Sequence, residues 1–157
     1  MKKFICTLII IACILSTMAL ADGVPNLSSS LFGSAKEAVA CLASGEYERL
    51  VTLLPFSDVS PSASEWQSFA GNFSNLSDVQ QDYAVAYWTG ACWNIAVPVQ
   101  VPEDDSVEVL VLTSYDGSTF SGYRYALWSQ IESEYSTSDH VSWNQEYVDS
   151  APVVVAD

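Results

Sequence analysis

The chain has 157 residues, 50% of them hydrophobic, and it carries 5 Lys and Arg against 19 Asp and Glu, for a formal net charge of −14. Nucleic-acid binding needs clustered Lys and Arg to displace phosphate counterions, so this composition excludes that class, and it disfavours anionic membrane surfaces for the same reason. A cationic partner or a bound calcium ion would suit the charge, as would simple solubility outside the cell.

Residues 1–21 have the pattern of a secretory signal peptide. Lys2 and Lys3 precede an apolar stretch, and Ala19-Leu20-Ala21 is a small-residue cleavage pattern. Two alternatives stay open: an uncleaved anchor, although the apolar run is shorter than the ~20 residues of a membrane span, and a lipoprotein acylated at Cys13. Cleavage would leave 136 residues with a net charge of −16. We therefore predict a mature protein without a membrane span, secreted or held outside a bacterial cell envelope.

Two linked amphipathic helices are predicted at the start of the mature chain, after a flexible polar lead-in over residues 22–33. Ser34 and Glu37 form a capping box, the pairing that satisfies the first backbone N–H groups of a helix. Gly45 is suited to the left-handed conformation that ends a helix. A second short helix follows and stops before Pro55.

A third helix is predicted after Pro61. Ser62 and Glu65 form another capping box, again with three residues between the cap and the acid. The apolar residues that follow recur at helical spacing and mark the face that packs on the core, namely Trp66, Phe69, Ala70 and Phe73.

From Tyr83 onward the hydrophobic period changes from 3.6 to 2, which is typical of strands. Strands are predicted over Tyr83–Tyr87, Trp93–Val101 and Val107–Tyr115. Pro98 cannot donate to a neighbouring strand, so the second of these is predicted to be an edge or bulged strand. Asp116-Gly117 is a favoured hairpin turn.

The stretch from Tyr123 to Tyr135 fits both a strand and a helix. The hairpin turn and the aromatic content favour a strand to about Ser129, followed by a polar loop over residues 133–140 and late strands over 140–148 and 152–155. Helices first and strands afterwards indicate an α+β fold, with N-terminal helices packed on one curved, mostly antiparallel sheet. We expect one domain over residues 34–157.

The chain resembles the nuclear transport factor 2-like superfamily, the cystatin-like α+β roll. The resemblance rests on the paired helices AKEAVACLASGEYERLVTLL and on the strands that follow a third helix, and it runs from Ser34 to the C-terminus. It implies a cone-like roll with a pocket between sheet and helices. The superfamily includes isomerases, dehydratases and exported binding domains, so a shared fold does not choose a function.

Cys41 and Cys92 are the two cysteines that remain after the signal peptide is removed. In an exported protein they predict one disulfide, worth about 3–4 kcal/mol if unstrained, and the alternative is two separate buried thiols. Neither lies in a cluster with zinc-ligand spacing, and no nucleotide fingerprint occurs. The sequence therefore predicts no metal and no cofactor.

Three residues, His140, Asp82 and Glu108, are candidates for catalysis. His140 is the only histidine, and no nucleophile elbow accompanies it, so a surface position is favoured. An isomerase or dehydratase would need a carboxylate in an apolar cavity with its pKa raised toward neutrality. Asp82 and Glu108 are the candidates, but Glu108 alternates with valines and is predicted to face solvent. No catalytic residue is assigned.

Aromatic residues crowd the strand half of the chain, and Tyr and Trp combine apolar area with a polar tip that suits contact surfaces. The predicted ligand-binding set is Trp88, Trp93, Tyr115, Tyr123, Tyr125 and Trp128. These residues either form an exposed surface for a small molecule, a glycan or a protein, or they pack across strands inside the fold. The leading prediction is a non-catalytic binding module. The alternatives are a small pocket enzyme with one buried carboxylate and a structural envelope protein.

Overall fold

The computed structural model describes residues 23–76, 79 and 83–143. The predicted signal peptide, Asp82, the predicted strand over 152–155 and residues 144–148 of the predicted strand over 140–148 lie outside these residues. The helices are α1 (Ser29–Ser44), α2 (Tyr47–Leu53), α3 (Ala63–Ala70) and α4 (Trp128–Tyr135). The strands are β1 (Val85–Trp88), β2 (Trp93–Pro98), β3 (Glu108–Ser114), β4 (Gly122–Leu127) and β5 (Val141–Trp143). The α+β class, with helices preceding an antiparallel sheet, is confirmed, and the sheet is open at both ends.

The first helix begins earlier than its sequence pattern predicts. Ser28 is the N-cap and α1 starts at Ser29, so the predicted N-cap at Ser34 is wrong by six residues, and Ser34 and Glu37 lie inside the helix instead of forming a capping box. The reason is Leu31, which is fully buried and therefore draws the preceding turn into the helix. The predicted end is confirmed, because Gly45 adopts φ 74°, the left-handed conformation that terminates α1.

The third helix follows its capping signal. Ser62 Oγ accepts the N–H of Glu65, and the Glu65 carboxylate accepts the N–H of Ser62 at 2.7 Å. This confirms the capping box. Trp66 and Ala70 are buried on the apolar face of α3, and α3 packs against α1 and α2.

The five strands are ordered β4-β3-β2-β1-β5, and all neighbours are antiparallel. β2 lies in the centre, so the prediction that Pro98 marks an edge or bulged strand is wrong. Val99 N–H donates to Glu108 O at 2.9 Å, so the nitrogen of the neighbouring Pro98 lies on the other side of β2, toward β1. The pairing of β1 with β2 ends at Val85 and Ala96, so the missing N–H of Pro98 interrupts no pair.

The ambiguous stretch contains both a strand and a helix. β4 ends at Leu127 and α4 begins at Trp128, so the predicted strand to Ser129 is too long and the predicted loop from residue 133 is helical up to Tyr135. The Gln130 side chain accepts the N–H of Leu127 at 3.0 Å and caps the junction. The strand and helix patterns overlapped because each describes one part of the stretch.

The sheet separates two hydrophobic cores. The first core lies under α1, α2 and α3, and Tyr123 and Tyr125 pack against it; its largest buried side chains are Trp66, Phe120, Leu31, Leu42, Leu50, Leu54, Ile95, Leu110 and Leu112. The second core lies on the opposite face, covered by α4, and is formed by Val85, Tyr87, Ala96, Val107, Val109, Val111, Ala126, Trp128 and Ile131. Of the two possibilities for the aromatic residues, packing inside the fold is therefore the commoner outcome.

Residues 23–28, which precede α1, are hydrogen-bonded to β2 and to the turn after β3. The indole N–H of Trp93 donates to Pro25 O at 2.7 Å, and Ser28 N–H donates to Gly117 O at 2.8 Å. Gly117 has φ 73°, and a Cβ on it would collide with the carbonyl oxygen of Asn26. Glycine is required here by both the turn and the close approach of the lead-in.

Cys41 and Cys92 are free thiols in the structure, so the predicted disulfide is not formed. Cys41 is buried on the core side of α1, and burial raises the pKa of its thiol. Cys92 is only half-buried, and its sulfur lies 3.3 Å from Thr89 Oγ1 inside the β1–β2 turn. The alternative of two separate thiols therefore fits better, although only Cys41 is buried.

Candidate functional site

The six predicted aromatic residues do not share one surface. Trp93 and Trp128 are 7% and 5% exposed and belong to opposite cores. Tyr125 packs edge-on against Phe73 with ring centres 5.2 Å apart, and its hydroxyl donates to Glu108. The other four keep some exposure to solvent, in different places: Trp88, Tyr123 and Tyr125 are half-buried, and Tyr115 is exposed.

Trp88 lines a groove of about 480 Å³ at the end of β1, which we call the Trp88 groove. Its lining residues are Val24, Trp88, Thr89, Gly90, Glu134, Thr137, Ser138, Asp139 and His140. The lead-in, the β1–β2 turn, the end of α4 and the loop after it thus meet at one point. A volume of this size is in the range of small-molecule sites.

Hydrogen bonds fix the wall of the Trp88 groove. Trp88 N–H donates to His140 O at 3.0 Å, which continues the pairing of β1 with β5. Ser138 Oγ lies 2.7 Å from Trp88 O and accepts the N–H of His140 at 3.2 Å. The loop that carries Asp139 is therefore held against β1 on both sides.

Glu134 is engaged at the base of the Trp88 groove. Tyr87 Oη donates to Glu134 Oε2 at 2.5 Å, and the Arg124 guanidinium donates to the same oxygen at 2.6 Å. Burial, followed by the bond to Glu134, raises the pKa of Tyr87. Tyr87, Arg124 and Glu134 form a cluster, called the Tyr87 triad, that ties α4 to the sheet.

Asp139 and His140 are the unengaged polar side chains of the Trp88 groove. Both are exposed, and within the described part of the chain neither side chain forms a hydrogen bond or an ion pair. The exposed position predicted for His140 is confirmed. A carboxylate and an imidazole beside a partly exposed indole can hold polar groups of a ligand while the ring covers an apolar face.

Tyr123 lines a second, shallower groove of about 460 Å³ between α3 and β4, which we call the Tyr123 groove. The other lining residues are Ser64, Glu65, Ser68, Phe69 and Asn72. The ring of Tyr123 lies against Trp66 with ring centres 4.4 Å apart. The indole N–H of Trp66 is buried without a partner among the described residues.

Glu108 is buried, so the prediction that it faces solvent is wrong. It accepts the N–H groups of Ser74 and Asn75 at 2.9 and 3.1 Å and the hydroxyl of Tyr125 at 3.1 Å. Burial alone would raise the pKa of Glu108, but these hydrogen bonds outweigh it and the pKa is lowered. A strand pattern shows which side of the sheet a residue takes, but not that a loop 33 residues earlier will cover it.

The lowered pKa of Glu108 is the reverse of the raised pKa that a catalytic carboxylate in an apolar pocket needs. The other candidate carboxylate, Asp82, lies outside the described residues. Among residues 23–76, 79 and 83–143, no group of three or more His, Cys, Asp or Glu is placed to hold a metal ion. Within the same residues, no helix is both long enough and apolar enough to cross a membrane.

No protein-family model matches the chain, and no curated protein or solved structure shows significant similarity to it. The resemblance to the nuclear transport factor 2-like superfamily thus stays a prediction. The Trp88 groove has to be interpreted from its own geometry.

Proposed function

We propose that this is an exported, non-catalytic binding protein that holds a glycan in the Trp88 groove. The observation that carries the proposal is the meeting of a partly exposed indole with two unengaged polar side chains, Asp139 and His140, in one groove. A sugar ring presents a C–H face that packs on an indole and hydroxyls that bond to a carboxylate or an imidazole.

The charge of the Trp88 groove favours a neutral or amino sugar over an anionic one. Glu134 and Asp139 both line it, no Lys or Arg is among its described lining residues, and Arg124, which pairs with Glu134, is already engaged. An anionic sugar would meet repulsion from Asp139 without a Lys or Arg in the lining to offset it.

Isothermal titration of neutral and amino-sugar oligosaccharides into the purified mature protein tests the proposal. We expect one of them to bind, and Asp139→Ala and His140→Ala each to weaken binding by about tenfold, the loss of one hydrogen bond to a charged or polar group. Tyr115→Ala is the matched control, since Tyr115 is 63% exposed and lines neither groove. Absence of binding, or equal affinities for the three variants, would contradict the proposal.

A further inference from the structure

The outer edge of β4 offers backbone hydrogen-bonding groups to an incoming chain. Trp128 N–H donates to Val107 O at 2.8 Å, in register with the pairing of Glu108 and Leu127. In an antiparallel pair the bonded residues alternate, so Arg124 and Ala126 bond to β3. The N–H and C=O groups of the alternating residues, Tyr123 and Tyr125, therefore point away from the sheet.

The residues at both ends of this unpaired interval of β4 are hydrogen-bonded to other parts of the chain. At one end Phe120 N–H donates to Pro55 O at 2.7 Å, and Ser57 N–H donates to Phe120 O at 2.8 Å. At the other end the N–H of Leu127 is bonded to Gln130. Among the described residues no strand pairs with the interval from Tyr123 to Tyr125. The edge already pairs with an extended segment at Phe120 and is open just beyond it.

The open interval lacks the devices that commonly protect an edge strand, which are prolines and charged side chains placed along it. Its one charged residue, Arg124, turns to the second core and pairs with Glu134 at 2.6 Å. On the other side lies the Tyr123 groove, with the rings of Phe69 and Tyr123 and the carboxylate of Glu65. A side chain of an added strand would meet this groove.

The charge of the molecule indicates which chain would pair there. The described residues carry 13 Asp and Glu against three cations, Lys36, Arg49 and Arg124. Arg49 forms ion pairs with Glu37 and Glu46, and Arg124 forms one with Glu134. A second copy of so acidic a protein would be repelled, whereas a basic segment would be attracted.

We propose that β4 binds an extended, Lys- or Arg-bearing segment of another protein as an added strand, with one basic side chain in the Tyr123 groove beside Glu65. The added strand supplies its own N–H and C=O groups to Tyr123 and Tyr125. The groove supplies an apolar wall for the methylene stem of the basic side chain and a carboxylate for its charge. This surface is separate from the Trp88 groove.

A fluorescently labelled, end-blocked heptapeptide of alternating Lys and Val is a suitable probe. We expect its anisotropy to rise on binding. A version N-methylated at every residue has no N–H to donate from either edge, so we expect it to bind at least about tenfold more weakly. A Glu-Val heptapeptide should not bind. Amide hydrogen exchange should slow at Tyr123 and Tyr125 when the Lys-Val peptide is present.

Glu65→Gln tests the groove without removing the helix cap, because Gln also serves in a capping box. We expect it to weaken Lys-Val binding about threefold to fivefold, as for an exposed charge pair. Glu48→Gln removes an exposed charge on α2, away from the groove, and should change binding little. His140→Ala should leave peptide binding intact, which separates this result from the glycan test.

Three results would overturn the proposal. The first is no binding of the Lys-Val peptide, and the second is equal binding of the N-methylated peptide. The third is protection of Tyr123 and Tyr125 in the absence of peptide together with a dimer in sedimentation, which would assign the edge to a second copy.

Discussion

The two faces of the sheet are stabilised by different means. Three helices cover the first face, and 20 buried residues among those described form its core. One helix, α4, covers the second face, where the corresponding core has nine. The second face adds the Tyr87 triad, in which two half-exposed charges and a buried hydroxyl bind α4 to β1 and β4. Apolar volume dominates on one side, and directed polar contacts contribute on the other.

The comparison explains where the aromatic residues lie. Each core takes up rings from both the strands and the helices, as in the contacts of Trp66 with Tyr123 and of Tyr87 with Tyr135. Few rings are left for contact with a partner. The binding proposals therefore rest on Trp88 and Tyr123, which lie at the margins of the first core.

Trp66→Ala is expected to have the largest effect, because it removes the largest fully buried side chain of the first core. Loss of the transfer free energy, together with the cavity left behind, should lower the free energy of unfolding by about 3–5 kcal/mol. Urea unfolding followed by circular dichroism measures it. Tyr115→Ala, an exposed aromatic truncation, should change stability by less than about 0.5 kcal/mol. Similar losses in the two variants would show that the first core does not dominate.

Glu108→Gln should have an intermediate effect. The carboxylate holds the loop after α3 through the N–H groups of Ser74 and Asn75, and bonds to a charged acceptor contribute about 1.5–3 kcal/mol. The folded-state pKa of Glu108 is lowered, so this stabilisation is present above the unfolded pKa of about 4.3 and is lost as pH falls through the folded value.

Unfolding titrations between pH 2 and 7 test this prediction. The difference in stability between wild type and Glu108→Gln should shrink toward acid pH. Tyr125→Phe, which removes one donor and keeps the charge, should cost less at neutral pH. A difference that stays constant with pH would rule out the ionised carboxylate as the stabilising group.

Local sequence signals predicted the elements that have local causes. The capping box at Ser62 and the left-handed Gly45 need only near neighbours, and both were found as predicted. The burial of Glu108 depends on a loop from another part of the chain, and the start of α1 depends on where Leu31 finds its core. Such effects have no local pattern to reveal them.

The candidate site was predictable only in part for the same reason. Trp88 belongs to the predicted set because it is aromatic, and His140 stands out because it is the only histidine of the sequence. Their meeting in one groove follows from the pairing of β1 with β5, which places residues more than 50 positions apart side by side. Single-sequence periodicity indicates a strand but does not specify its partner.

Tyr87→Phe should have the smallest of the three effects on stability and tests the second face directly. It keeps the buried ring and removes only the hydroxyl that donates to Glu134, so we expect a loss of about 0.5–1.5 kcal/mol at neutral pH.

Burial and the bond to Glu134 raise the folded-state pKa of Tyr87. A raised pKa gives stability that is complete below the unfolded value, about 10, and is lost as pH rises through the folded value. The advantage of wild type over Tyr87→Phe should thus hold between pH 7 and 9 and shrink above pH 10, as measured by urea unfolding. Tyr115→Phe, which removes an exposed hydroxyl, should match wild type at neutral pH. A Tyr87→Phe protein as stable as wild type would mean that apolar packing of α4, through residues such as Ile131, holds the second face without the triad.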